Sequence, residues 1–310
     1  MKRAFHILPL LPLLFATATA TALELKVEHV AGPAYALVGS TGARTYDNYG
    51  LNATLGFVVT DAGVVLIDSG ASESGAPQIE QAIARVTSQP ITMVINTGSQ
   101  DHRWLGNGWF AHKGARIVAL RRTVATQQQF AAQELQQLQT ELKDRISTTH
   151  PYPAPQPIDA DEKTLKVGNV TLQLRWLGDA HFAGDAVVWL PAQQVLYSGD
   201  LVFVDRLLGV LPWSDAVAWR DTFHRMEQLK PQFIVPGHGN VCTLAKAQQE
   251  TGAYLDWLVD KVGAAVDNWD PIEETVQRLA DAPQFAKLAN FDQLHRGNIN
   301  RTYVQLEARR

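Results

Sequence analysis

The chain reads as an α/β protein, a four-layer αββα sandwich. Three observations predict it: paired apolar runs joined by a tight turn, a helical stretch set between strand candidates, and a second half that repeats this order. Residues 55–60 and 64–67 are apolar runs separated by Asp61-Ala62-Gly63, the pattern of a hairpin between buried strands. Ile79, Ile83 and Val86 recur at helical spacing over 76–87, and 91–95 is the next strand. In the second half, 164–167 and 170–176 pair about Gly168-Asn169, followed by strands over 186–190 and 194–198, a helix over 214–229 and a last strand over 233–235. Two similar β-rich halves, each backed by helices, make one layered sandwich rather than two domains. Between them, 121–145 reads as a glutamine-rich helix carrying Phe130, Leu135 and Leu138, and Pro151, Pro153, Pro155 and Pro157 mark an extended linker.

The amino-terminal stretch belongs to no layer. Lys2 and Arg3 precede an apolar run broken by Pro9 and Pro12, and alternating alanine and threonine fill 16–22, the form of a secretory signal peptide over residues 1–22. A membrane span needs about 20 unbroken apolar residues, so the expectation is a periplasmic or secreted protein with no stable membrane anchor after cleavage. Residues 23–310 are then a single domain, with a helical carboxy-terminal extension from about 244 in which Tyr254, Leu255, Leu258 and Val262 form one apolar face.

Composition removes some function classes. Loss of Lys2 and Arg3 takes the formal charge from −4 to −6, an acidic balance with no nucleic-acid footprint. Cys242 is the sole cysteine, so no intramolecular disulfide can form. The expected partner is a small-molecule substrate; the sequence says nothing of oligomeric state.

Five residues with metal-ligating chemistry follow predicted strands in four loops: Asp101 and His102, His181, Asp200, and His238. Imidazole nitrogen and carboxylate oxygen are normal zinc ligands. Taken singly, Asp101 is an ordinary helix cap and Asp200 an ordinary turn former; His238, between two glycines, is hard to read as core packing.

From about Gly50 to Gly239 the chain resembles the metallo-β-lactamase superfamily. Asp68-Ser69-Gly70 is similar to its strand-end aspartate, Asp101-His102 to the tail of its H-x-H-x-D-H motif, and His181 with Gly184-Asp185 to its next ligand. Ser198-Gly199-Asp200 is similar to its bridging carboxylate, and Pro236-Gly237-His238-Gly239 to its last histidine. The departure is that Thr97 and Ser99 stand where the motif has its first two histidines.

The resemblance implies a first metal site that is empty or weak. It implies a second that is complete: one Zn2+ on Asp101, His102 and His238, with Asp200 alongside. Asp101 and His181 are then the catalytic candidates, His181 orienting a water or serving as general base once released from the metal. The implied activity is hydrolysis of an ester, thioester, lactone or β-lactam bond by a metal-activated water, and the alternative is a non-catalytic metal-binding accessory protein of a periplasmic redox system. Asp68 is expected to hydrogen-bond neighbouring loops rather than bind metal. Trp104 and Trp109 are expected to pack, Cys242 to be buried and inert, and His29, His112, His150, His224 and His295 to be surface or core residues.

Overall fold

The computed structural model describes residues 25–310, so the signal-peptide expectation lies outside the described residues. β1 (Lys26–Ala31), β2 (Ala34–Val38), β3 (Leu55–Thr60) and β4 (Gly63–Ile67) form an antiparallel meander. α1 (Ala76–Ala84) then crosses over to β5 (Ile91–Ile95), parallel to β4, because a parallel pair needs a long connection. After two short helices, α2 (Asp101–Trp104) and α3 (Asn107–His112), β6 (Arg116–Val118) completes a six-stranded sheet in sequential order.

The long helix α4 (Arg121–Leu142) stops three residues short of the predicted end. Lys143 takes a positive φ of 54°, which ends the α-helical path, and a single 3-10 turn, Lys143–Ile146, follows. Leu138 and Leu142 on this helix pack against Trp104 and Leu105, so α4 lies over the loop that carries the candidate ligands.

The second sheet holds β7 (Glu162–Val167), β8 (Val170–Arg175), β9 (Val187–Leu190), β10 (Val195–Phe203) and, after α5 (Ala216–Glu227), β11 (Phe233–His238). Its order is β11-β10-β9-β8-β7, with only β10 and β11 parallel. The chain ends in α6 (Leu244–Ala247), a π turn at Gln248–Gly252, α7 (Ala253–Asp267), α8 (Ile272–Leu279) and α9 (Phe291–Glu307).

Strand alternation builds the layers. Val65 and Ile67 of β4 face the second sheet and join Val58, Ile95, Leu172, Val188 and Tyr197 in the middle core, whereas Val64 and Leu66 face the outer helices with Ile79 and Ile83. On the far side, Leu196 and Ile234 pack under α5, α7 and α9 through Trp219, Phe223, Leu255, Leu258 and Ile299. Each fully buried aliphatic side chain stabilises this stack by roughly 1.5–3 kcal/mol. This is the predicted four-layer sandwich, and the helices after residue 244 supply much of its outer layer. Gly56 is there for close approach: a Cβ on it would sit 2.1 Å from the Tyr197 ring. Among the described residues, no helix is long and apolar enough to cross a membrane.

Two features set up the site. β10 runs on to Phe203 where the sequence suggests an end at 198, with register breaks on both sides of Gly199, whose φ is +50°. Asp200 therefore sits in a bulged strand, not in the loop after one, and such bulges re-aim side chains. β11 likewise extends through His238, its last residue.

Candidate metal centre

The ligand loop leaves the carboxyl end of β5, where α/β sites are commonly found. Asp68 at the end of β4 braces it, accepting from the Thr97 amide at 2.7 Å and from the Thr97 hydroxyl at 2.7 Å. This is the structural role expected of Asp68, and its φ of 65° turns the chain sharply after the strand. The Ser99 hydroxyl donates to the Thr123 carbonyl at 3.2 Å. The two hydroxyls that replace the motif's histidines are thus engaged with the protein.

His102, Asp200 and His238 come together, each offering a donor atom within 4.8 Å of the others, and all three are buried. His102 Nε2 lies 3.1 Å from Asp200 Oδ2, and His238 Nε2 lies 3.5 Å from Asp200 Oδ1. The other nitrogen of each ring faces an acceptor. His102 Nδ1 is 3.0 Å from Asp101 Oδ1, and His238 Nδ1 is 3.2 Å from the Asn52 carbonyl. Arg206 Nη1 also lies near His238 Nδ1, but at the longer distance of 3.4 Å. With Nδ1 of each ring carrying the proton, both Nε2 atoms would be free to bind a metal beside the Asp200 carboxylate.

Two acceptors stay together only with a proton or a cation between them. Ligand atoms on a tetrahedral zinc lie roughly 3.3 Å apart for bonds of about 2.0–2.1 Å; each ring nitrogen lies near that distance from one Asp200 oxygen, 3.1 Å to Oδ2 and 3.5 Å to Oδ1, and the three donor atoms fall within 4.8 Å of one another. Imidazoles whose second N–H is held by a carboxylate or a carbonyl are the usual outer support of bound metal. The three residues fit a zinc ion.

Asp101 is not part of this group. One of its oxygens is ion-paired with Arg44, and the other accepts from the His102 amide at 2.6 Å and the His102 ring at 3.0 Å. Burial works against its charge, but Arg44 and His102 outweigh burial and hold the carboxyl down at about 2. Asp101, which the sequence suggests as a ligand, thus lies against the His102 ring and Arg44, outside the three-residue group. Arg44 in turn reaches Glu141 at 3.1 Å, and burial together with Asp101 pushes Glu134 on α4 up to about 9.

His181 stands beside the centre without joining it. Its Nε2 contacts Gln100 Oε1 at 2.9 Å, its Nδ1 is buried with no hydrogen-bond partner, and its ring packs against Phe182, Phe203 and Trp219. Burial lowers it to about 4, leaving a neutral ring at pH 7. Asp185 accepts from the Phe182 amide at 2.8 Å, and burial followed by Asp200 raises its carboxyl well above the usual range.

A family model, the metallo-beta-lactamase superfamily, matches residues 49–238, which span the three clustered residues, Asp101 and His181. The chain belongs to the metallo-β-lactamase superfamily. It is 26% identical over 219 residues to a metallo-beta-lactamase type 2 of Elizabethkingia meningoseptica, covering 69% of this chain and 79% of that protein. It is also 22% identical over 250 residues to the 2,4-dinitroanisole O-demethylase subunit alpha of Nocardioides sp. (strain JS1661), covering 77% and 70%. Among solved structures, a metallo-beta-lactamase from Pontibacter korlensis superposes with a TM-score of 0.59 at 22% identity, over 75% of this chain and 99% of that one. The DIM-1 metallo-beta-lactamase gives 0.58 at 18% identity, over 76% and 98%. These likenesses show the shared fold.

Within this metallo-β-lactamase fold the residue that sequence reasoning missed is Arg103. Its side chain is fully buried. It donates from Nε to Asp200 Oδ2 at 3.0 Å and from Nη2 to Asp200 Oδ1 at 2.6 Å. Further bonds reach Asp68 Oδ2 at 3.1 Å, the Thr54 carbonyl at 3.0 Å and the Gly237 carbonyl at 2.8 Å. Burial raises the Asp200 carboxyl, but Arg103 and His102 reverse this and leave it well below the carboxylate range. The only signal in the sequence is an arginine directly after the ligand motif. Trp104 packs as expected, fully buried with its indole donating to the Ser99 carbonyl at 3.0 Å. Cys242 is buried and its thiol is pushed up to about 12 by burial.

Proposed function

We propose that this protein is a periplasmic or secreted metallo-hydrolase that holds one zinc on His102, Asp200 and His238. The observation that carries the reading is the convergence of two Nε2 atoms on Asp200, each ring with an acceptor behind it. Two imidazoles and one carboxylate are a catalytic zinc set, because a fourth position stays open. Zinc bound there supplies Lewis acidity and a water that is nucleophilic near neutral pH.

The chain's own residues do the rest. Asp101 fixes the His102 ring through Nδ1, and Arg103 fixes the plane of the Asp200 carboxylate. His181 is the candidate to orient the attacking water or accept its proton. Its Gln100 bond fixes the ring, so Nδ1 is the atom left for that work. The bond cleaved is an ester, thioester, lactone or β-lactam of a small molecule. Because one relative is named a 2,4-dinitroanisole O-demethylase, that methyl aryl ether joins the test panel.

Zinc analysis and turnover of this panel by the purified protein test the reading. One zinc per chain and hydrolysis of at least one member, lost in His238→Ala, are expected; a protein that binds no zinc sinks the proposal. A second reading, a metal-binding accessory protein without turnover, is favoured by one observation: Arg103 engages both Asp200 oxygens. One zinc with no turnover across the panel selects it.

A further inference from the structure

We propose that Arg103 is a built-in cation that does the charge-balancing work of a second metal and so commits the centre to one ion. The inference rests on the zinc reading above and concerns how many ions the site accepts.

A guanidinium has five N–H donors in a rigid fork. All five of Arg103 are used, two on Asp200, one on Asp68 and two on the carbonyls of Thr54 and Gly237. The ends of β4 and β11, the bulge of β10 and the segment before β3 therefore meet on a single positive charge that solvent does not reach. The surrounding chain is shaped to admit it. A Cβ at Gly237 would lie 2.6 Å from Nη2, and one at Gly98 would lie 3.2 Å from Cγ.

Position matters as much as charge. Arg103 Nη1 and the Thr97 hydroxyl donate to the same oxygen, Asp68 Oδ2, so the guanidinium stands next to the residue that replaces the motif's first histidine. A divalent ion placed on that side would face the guanidinium at close range in a low-dielectric setting, where like charges repel strongly. Arg103 also occupies one lone pair on each Asp200 oxygen, leaving those that face His102 and His238. Thr97 and Ser99 are then compatible with an arginine-balanced centre rather than remnants of a two-metal one.

The test measures zinc per chain by mass spectrometry of metal content in four forms of the full protein equilibrated with zinc. These are the parent, Thr97→His with Ser99→His, that double variant with Arg103→Met, and the double variant with Arg103→Lys. The expected contents are one, one, two and one, because lysine keeps the charge and methionine removes it. Two zincs in the double variant with Arg103 intact overturn the inference and leave the one-zinc reading of the parent standing. A single zinc in the Arg103→Met form, with native circular dichroism, overturns it as well. Should Arg103→Met not fold, Arg103→Gln removes the charge while keeping an amide donor, and the same criteria apply. A parent without zinc overturns the metal reading itself and this inference with it.

Discussion

Arg103 donates to both oxygens of Asp200, at 2.6 Å from Nη2 and 3.0 Å from Nε, in a pair closed to solvent. Breaking a buried pair by removing one partner costs about 3–5 kcal/mol, because the other charge is left without compensation. Arg103→Met is therefore expected to lower the unfolding free energy of the zinc-free protein by that amount in urea. An unchanged midpoint would show that the pair contributes little to the fold.

Asp101 supports His102 from behind, and losing such a support weakens metal binding by about 10–100-fold without abolishing it. Asp101→Asn should keep a stoichiometry of one zinc with affinity reduced in that range, measured by competition with a chelator. His102→Ala, Asp200→Ala and His238→Ala should each lose the ion. Complete loss in Asp101→Asn would make Asp101 a direct ligand.

Gly237 has no room for a side chain, since a Cβ would lie 2.5 Å from the Gly199 carbonyl oxygen and 2.6 Å from Arg103 Nη2. Overpacking of this kind costs about 1–3 kcal/mol. Gly237→Ala is expected to lower the melting temperature and weaken zinc binding together, because the displaced groups hold Asp200 and precede His238. Parent-like values for both would contradict the close packing.

His295 links α9 to its neighbours: its ring meets the Tyr254 hydroxyl at 3.0 Å and the Leu279 carbonyl at 2.9 Å. Burial lowers its pKa, so the folded protein binds fewer protons there than the unfolded chain. That contribution is fully present above the ordinary histidine value of about 6.5 and is lost as pH falls through the lowered folded value. In chelator, the urea midpoint of the parent should drop between pH 7.5 and 5 more steeply than that of His295→Gln, which keeps an acceptor and a donor but does not titrate. Equal slopes would rule out a His295 contribution.

Much of this site could be read before any coordinates. His238 lies between two glycines, where a histidine has little packing purpose, His102 closes a recognisable ligand motif, and Asp200 follows a glycine whose positive φ bends β10. Asp101 was harder, because its adjacency to His102 is compatible with ligation and with support, and its pairing with Arg44 comes from far outside the motif. Arg103 was illegible for a physical reason: a lone arginine reads as a solvated charge, and its four partner residues are spread over residues 54 to 237. The buried strands β3, β4 and β5 announced themselves as apolar runs. β1, at the edge of the sheet, mixes exposed and half-buried residues, β2 beside it is a short run of buried and half-buried ones, and α2 and α3 are too short to show a helical period.

Whether one zinc sits on His102, Asp200 and His238 can be read from anomalous diffraction at the zinc edge, using crystals of the zinc-loaded protein. One anomalous peak is expected, bonded to Nε2 of His102, Nε2 of His238 and a carboxylate oxygen of Asp200, with Asp101 turned to Arg44. A peak bonded to Asp101, a second peak beside Thr97 and Ser99, or no peak at all would contradict it.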